Sequence, residues 1–205
     1  MYIGIDDTDS ALGMCTTFLI FSILEHTSLD LIGYPRLVRL NPNVPWKTRG
    51  NGAVALNLGI GAGKRIKVGE WEGSDIYAYM KGKECSTNII DEVADVVRKH
   101  AHLDCRNTEP GIVLCKRRPP EWLYWKGVRD VVAMHEVERV LKDIDAMYIR
   151  FKNGRGILGA TCALAYRARE YTYELIAYRL EKHIGKPRRL NRKSVQLLDS
   201  LPGTF

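Results

Sequence analysis

The sequence lacks the features by which membrane, secreted and zinc-binding proteins are recognised. No apolar run in its 205 residues approaches the ~18 residues that a membrane-spanning helix needs. No basic region precedes the first strand-like segment, so no signal peptide is predicted. The five cysteines contain no CxxC pair, and the sequence therefore predicts neither a zinc ribbon nor a disulfide framework within these residues. We expect a cytoplasmic location.

The five histidines offer no metal-binding spacing apart from His100 and His102. These two follow a predicted helix, where cations complement the helix dipole, so we predict no transition-metal site. Hydrophobic residues make up 45% and charged residues 27% of the chain, which is ordinary for a soluble globular protein. The length suits one large domain or two small ones.

The net charge of +7 favours an acidic partner. Six cations crowd into residues 182–193, and three of them are predicted to contact RNA phosphates: Lys186, Arg188 and Arg189. A solvated basic tail is an equally good interpretation of this run.

The strongest chemical signal is an acidic turn that follows a short apolar strand starting at Tyr2. Asp6, Asp7 and Asp9 place three carboxylates within four residues, where they repel one another. Hard oxygen ligands suit magnesium, which prefers one or two carboxylates together with substrate phosphates. We therefore predict Asp6, Asp7 and Asp9 as magnesium ligands and catalytic residues. The alternative is that Asp9 or Ser10 only caps the next helix.

The residues after the acidic turn, 13–27, are predicted to form a helix whose free N–H groups point back at the turn. A strand is predicted at residues 31–40. The loop 41–52 combines turn formers with two cations and Trp46, a composition typical of a binding loop. The Trp46 ring could stack on a base, or it could be buried and anchor the loop.

Glycine is frequent in residues 59–64, which we interpret as a hairpin turn between strands 53–60 and 64–68. A Walker A loop would need Gly at Leu58 and Ser or Thr at Arg65, so no phosphate loop is predicted there. Further along, we predict a strand at 76–80, a helix at 87–100 and a strand at 112–115.

Two prolines and three cations at residues 116–120 mark the best candidate domain boundary. Beyond it the pattern predicts helices at 121–126, 135–142 and 157–167, and strands at 146–151 and 172–180. Arg155 lies in a Gly-Arg-Gly turn that opens a helix and is a candidate anion or RNA contact, with a tight turn as the alternative. We predict an α/β or α+β protein with two domains, 1–118 and 121–205, and the acidic turn facing the cleft.

The motifs together resemble the archaeal tRNA 2-agmatinylcytidine synthetases, which modify the wobble cytidine of the isoleucine tRNA reading AUA codons. The resemblance rests on GIDDTDS at 4–10, GMCTT at 13–17, RLNP at 39–42, KTRGNGAV at 47–54, GRG at 154–156 with Gly159 and Ala160, and ELIAYR at 174–179. It implies a kinase-like α/β domain followed by a ferredoxin-like α+β domain. It also implies an OB-fold and a zinc ribbon in the full-length chain, so we expect an N-terminal fragment.

The resemblance further implies that ATP activates the cytosine carbonyl by phosphorylation and that agmatine then displaces the phosphate. In this interpretation magnesium on the three aspartates faces the triphosphate, and four residues hold its phosphates: Lys47, Arg49, Gly50 and Asn51. A self-phosphorylated threonine maps onto Thr16.

Two other classes remain open on sequence. A haloacid-dehalogenase-type phosphatase would use Asp7 as nucleophile and Asp9 as acid, but it expects Thr or Val at Ala11 and a later Gly-Asp pair, which this chain lacks. A non-catalytic RNA-binding module would use only the basic run and the Trp46 loop, and it would leave the acidic turn unexplained.

Overall fold

The computed structural model describes residues 1–10, 12–47, 50–71, 74–174 and 192–200. Its strands are β1 (Tyr2–Asp6), β2 (Asp30–Leu31), β3 (Arg36–Arg39), β4 (Gly52–Trp71), β5 (Ser74–Lys83), β6 (Gly111–Cys115) and β7 (Met147–Arg150). Its helices are α1 (Thr16–His26), α2 (Ile90–His100), α3 (Glu121–Arg129), α4 (Met134–Asp143), α5 (Gly156–Ala165) and α6 (Arg192–Asp199).

The strands form one antiparallel sheet with the order β2-β4-β1-β6-β7, in which β3 and β5 also pair with β4. The mixed helix and strand content confirms the predicted class. β1 lies in the middle, with Tyr2 opposite Asn57 on β4 and Cys115 on β6. The acidic turn therefore begins where a buried central strand leaves the sheet.

Helices cover both faces of this sheet because successive side chains of β1 point to opposite sides. Ile3 and Ile5 face α1 and α2 in one hydrophobic cluster, which includes Leu19 and Val93. A second cluster lies on the other face and joins β3, β4 and β6 to α3, α4 and α5. No helix in the described ranges is long and apolar enough to span a membrane.

The predicted hairpin turn at residues 59–64 is wrong. β4 runs through these residues without interruption and pairs with β5 from Ile60 opposite Lys83 to Trp71 opposite Ser74. The glycines serve close packing instead, since a Cβ on Gly61 would lie 2.2 Å from the Tyr79 ring. Gly63, with φ of +79°, lies at an irregularity between Ala62 and Arg65, where a bulge accommodates the glycine-rich segment.

Two other predicted elements have different bounds. The strand predicted at 31–40 is divided into β2 and β3, because Gly33 adopts φ of 72° and Pro35 follows it. The helix predicted from residue 13 begins at Thr16, since Gly13 and Met14 have φ of 141° and 70°, outside the helical range.

The sheet continues across the candidate boundary at residues 116–120. β7, which follows this run, pairs with β6, which precedes it. The second cluster likewise packs Val38 and Val113 against Leu123 and Ile157. Packing therefore does not separate the chain at this point, and the domain division stays a prediction. Of the strand predicted at 172–180, residues 172–174 do not form a strand, and residues 175–180 lie outside the described residues.

Candidate functional site

The acidic turn directs its three carboxylates to three different partners. Asp7 adopts φ of 59°, the left-handed region that a non-glycine residue rarely occupies, and it turns the chain at the end of β1. This conformation leaves Asp6 on the sheet beneath α5 and carries Asp7 and Asp9 away from it.

Asp7 pairs with Arg155, the arginine of the Gly-Arg-Gly turn. Its Oδ2 accepts a hydrogen bond from Arg155 Nη2 at 2.6 Å, and the same nitrogen donates to the Asn107 carbonyl at 2.9 Å. The sequence suggested Arg155 as an RNA or anion contact, and the structure places it against the acidic turn. The sequence separation of 148 between the two partners explains why no local pattern predicts the pair.

Asp9 holds the start of α1. Its Oδ1 accepts hydrogen bonds from the backbone N–H of Thr16 at 2.8 Å and from the Thr16 hydroxyl at 2.7 Å. The Thr8 hydroxyl donates to Thr16 Oγ1 at 3.0 Å, while Thr108 Oγ1 donates to the Asp9 carbonyl at 2.8 Å. Asp9 thus satisfies one free helix donor and also orients a hydroxyl, so capping and a chemical role are compatible.

Burial raises the pKa of Asp6 to about 7, helped by the neighbouring charges of Asp7 and Asp9. Burial also raises the pKa of Asp7 to about 7, although its ion pair with Arg155 opposes the shift. At Asp7, burial therefore outweighs the stabilisation of the carboxylate by Arg155.

A cavity of about 270 Å³ opens beside the turn. Asp6, Asp7, Asp9 and Thr16 line one wall, and Arg155 with the first turns of α5 lines the next. The loop after β3 forms the opposite wall with Val44, Trp46, Lys47, Gly50 and Asn51. The structure thus brings the acidic turn and the predicted phosphate-binding loop to one cavity, with Arg49 outside the described residues, as are Lys186, Arg188 and Arg189.

Within that loop, Trp46 and Lys47 are exposed at the cavity. Asn51 has a structural task, since its Nδ2 donates to the Asn41 carbonyl at 2.8 Å and its own carbonyl accepts from the Leu40 N–H at 3.0 Å. Asn41 in turn donates to the Asp130 carbonyl at 3.1 Å. Asn51 therefore holds the loop in shape beside the cavity.

Several lining residues were not among the predicted site residues. They are Gly127 on α3, Asp130, Val131 and Val132 just after it, and Leu158, Gly159 and Cys162 on α5. Gly159 lies so close to the turn that a Cβ on it would be 1.8 Å from Asp6 Oδ2. A glycine one helical turn after the Gly-Arg-Gly segment was the only available hint of this contact.

The described residues contain no group of three or more His, Cys, Asp or Glu side chains arranged to hold a metal ion. The three aspartates diverge to Gly159, Arg155 and Thr16. Their donor chemistry nevertheless suits a hard cation, because Asp6 and Asp7 are adjacent carboxylates that line the same cavity.

Two family models match the chain, the TiaS TCKD domain over residues 2–153 and the TiaS FLD domain over residues 154–205. The chain belongs to the TiaS family. It is 42% identical to the tRNA 2-agmatinylcytidine synthetase TiaS of Thermoplasma volcanium, over all of this chain and 47% of that protein. The resemblance found in the sequence motifs is therefore confirmed.

Solved TiaS structures have the same fold. A complex of TiaS with an isoleucine tRNA and ATP matches 97% of this chain and 43% of its own with a TM-score of 0.72 at 33% identity. A complex of TiaS with the same tRNA, AMPCPP and agmatine matches 97% of this chain and 44% of its own with a TM-score of 0.74 at 32% identity. The chain spans about half the length of the TiaS relatives it matches.

Proposed function

We propose that this chain supplies the ATP-dependent part of a cytoplasmic ligase that conjugates agmatine to the wobble cytidine of the AUA-reading isoleucine tRNA. One observation carries the proposal. In a chain of the TiaS family, a single cavity joins the acidic turn, the Trp46 loop and Arg155. The solved relatives that contain tRNA, ATP or an ATP analogue, and agmatine support the same assignment.

Phosphoryl transfer needs positioning and charge neutralisation more than covalent chemistry from the protein. Lys47 and Arg155 both line the cavity, where they would contact triphosphate oxygens, with Arg155 also paired to Asp7. Gly50, without a side chain, leaves the backbone of the loop open to the phosphates. We assign ATP to this cavity, with Arg49 as a further phosphate contact.

Magnesium fits the acidic turn by its chemistry, and Asp6 and Asp7 would hold it. When bound, the ion neutralises phosphate charge. A bound cation would also favour the charged forms of both aspartates, whose pKa values are raised mainly by burial.

Thr16 is the proposed acceptor of a phosphoryl group from ATP. A threonine hydroxyl is a weak nucleophile at neutral pH and needs an adjacent base. Asp9 Oδ1 already accepts the Thr16 hydroxyl hydrogen at 2.7 Å, so it is placed to take the proton as the oxygen attacks the γ-phosphorus. The bond from the γ-phosphorus to the β–γ bridging oxygen then breaks, and ADP leaves.

The test is self-phosphorylation of the full-length protein with γ-labelled ATP and magnesium. Wild type and Thr17→Ala should be labelled, while Thr16→Ala and Asp9→Asn should lose the label. Thr17 is the matched control because it is the neighbouring buried threonine and its hydroxyl bonds Cys15 at 2.8 Å instead of an aspartate. Circular dichroism establishes that all four proteins are folded. Label on folded Thr16→Ala would refute the acceptor assignment.

A further inference from the structure

Three arginines meet at the end of β1 opposite the acidic turn. Arg36 comes from β3, Arg118 follows β6 and Arg167 follows α5. Arg36 and Arg118 line one crevice with Tyr2, and Arg118 lies 5.5 Å from the Tyr2 ring. Among the residues that the structure describes, none of the three guanidinium groups forms an ion pair. Positive charge is thus concentrated here, and no carboxylate of the described ranges is paired with it.

Two of these guanidinium groups donate a hydrogen bond to a backbone carbonyl but leave part of their hydrogen-bonding capacity unused. Arg118 Nε donates to the Leu164 carbonyl at 3.0 Å, and Arg167 Nη2 donates to the Pro119 carbonyl at 2.7 Å. Arg118 Nη2 and Arg167 Nη1 are buried and have no hydrogen-bond partner within the described part of the chain. A buried charged donor without a partner is costly, and an oxyanion with several acceptor oxygens would remove that cost.

Repulsion among the three arginines also favours a bound anion. Burial lowers the pKa of Arg118 to about 10, and the charges of Arg36 and Arg167 add to the shift. A bound anion would offset both contributions. Arginine presents a planar set of donors that matches the oxygens of phosphate. Arg36 and Arg118 line the crevice, and Arg167 lies close enough to Arg118 to lower its pKa.

The crevice is too small for a nucleotide. Its volume is about 10 Å³, close to the room that one water-sized group needs. A phosphate oxygen could enter while the rest of the ligand stays outside on the surface. A phosphate in the backbone of a nucleic acid can bind in this way.

Exposed tyrosines lie close in sequence to two of the three arginines. Tyr34 precedes Arg36 by two residues, and Tyr171 and Tyr173 follow Arg167. The Tyr34 and Tyr173 rings contact at 5.1 Å and the Tyr171 and Tyr173 rings at 5.6 Å, with 40%, 69% and 64% exposure for Tyr34, Tyr173 and Tyr171. Aromatic faces beside cations are typical of surfaces that bind single-stranded nucleic acid.

We infer that Arg36, Arg118 and Arg167 form a binding site for a backbone phosphate of the RNA substrate, with the three tyrosines as a stacking surface beside it. The inference rests on the proposed function for the identity of the RNA. α5 links the two sites, because Leu158, Gly159 and Cys162 line the catalytic cavity whereas Ala163 and Leu164 line the crevice. By strand rise, Tyr2 and Asp6 are about 13 Å apart, so one RNA strand can span both.

The test measures tRNA affinity of the full-length protein as a function of salt, with ATP affinity measured in parallel. We expect Arg36→Gln to weaken tRNA binding about tenfold and to reduce the slope of log affinity against log salt by about 1. Arg139→Gln on α4 is the matched control, since this arginine lies outside the cluster. It should change neither quantity, and ATP affinity should be unchanged in all variants.

Arg118→Gln should show a larger loss of tRNA binding, but it also removes the bond to Leu164. If that variant does not fold, Arg36→Gln decides, because none of the hydrogen bonds described for the chain involves its side chain. Wild-type affinity and salt slope in folded Arg36→Gln would overturn the inference while leaving self-phosphorylation, and the proposed function, intact. If instead the wild-type protein neither binds ATP nor becomes labelled, the proposed function is refuted.

Inorganic phosphate, compared with chloride at equal ionic strength, separates the two sources of the phosphate group. If phosphate stabilises wild type more than Arg36→Gln and the variant also loses tRNA affinity, the RNA backbone is the ligand. If phosphate stabilises wild type more but tRNA affinity is the same in both, the site takes free phosphate, and the assignment to RNA is overturned.

Discussion

The two faces of the sheet differ in how closely a helix backbone approaches the strands. On the face of α1 and α2, fully buried branched side chains such as Leu19 and Ile23 fill the space between helix and strand. On the face of α5, helix and strand backbones meet at glycines, and a Cβ on Gly4 would lie 2.5 Å from the Ala160 carbonyl oxygen.

The α5 face also carries the candidate site, and the close approach explains why. Gly111 and Gly156 bring the start of α5 against the end of β1, where a Cβ on Gly111 would be 2.0 Å from the Ile157 nitrogen. That contact sets Arg155 beside Asp7 and Gly159 beside Asp6. Both faces bury a hydrophobic cluster, and the second also fixes the positions of residues in the candidate site.

The largest expected effect on stability belongs to the first face. Leu19→Ala should lower the free energy of unfolding by about 3 kcal/mol, because it removes a fully buried side chain and leaves a cavity. ATP affinity of the remaining folded protein should be unchanged. Urea unfolding and ATP titration measure the two quantities. Met80→Ala, at a residue with 54% exposure on β5, is the control and should change stability by less than about 0.5 kcal/mol. A Leu19→Ala protein that is stable but cannot bind ATP would contradict this division.

Gly159→Ala should have the opposite effect to Leu19→Ala, since we expect it to lower activity and to leave stability nearly unchanged. Alanine is favoured over glycine in a helix by about 1 kcal/mol, which offsets part of the crowding, so stability should change little. The new Cβ must displace the Asp6 carboxylate, and a shift of about 1 Å at a reacting group can lower the rate about 100-fold. Initial rates of labelling from γ-labelled ATP test this. Gly69→Ala on β4 is the control, since its Cβ would meet Ile76 at an ordinary 3.6 Å. Full activity of Gly159→Ala would show that Asp6 does not act where the structure places it.

The smallest effect concerns the charge of Asp6. A carboxyl whose pKa is raised on folding stabilises the fold at acidic pH, and this contribution is lost as the pH rises from about 4 through about 7. Asp6→Asn removes the charge and should therefore be more stable than wild type above pH 7. Thermal unfolding at pH 5 and pH 8 in the presence of EDTA measures the difference, which should grow with pH.

Magnesium provides the control for that prediction. If Asp6 binds the ion, magnesium at pH 8 should stabilise wild type more than Asp6→Asn and so reduce the gap. An equal response of the two proteins to magnesium would remove Asp6 from the proposed ligands.

Local sequence was a good guide where local chemistry decides the structure. The apolar run of β1, the acidic turn and the charge-ordered helix α2 are all present. The glycines of β4 misled the prediction because glycine serves both turns and close packing, and only the Tyr79 ring on the paired strand shows which applies.

By itself the sequence determined the class of the fold, the family and the residues of the acidic turn, since hydrophobic period and ordered motifs are properties of neighbouring residues. Tertiary structure alone decided that Asp7 pairs with Arg155, that Gly159 lies against Asp6 and that three arginines share one end of β1. Each of these contacts joins segments far apart in the chain. Their distances follow from how closely α5 packs on the sheet, and no local pattern encodes that spacing.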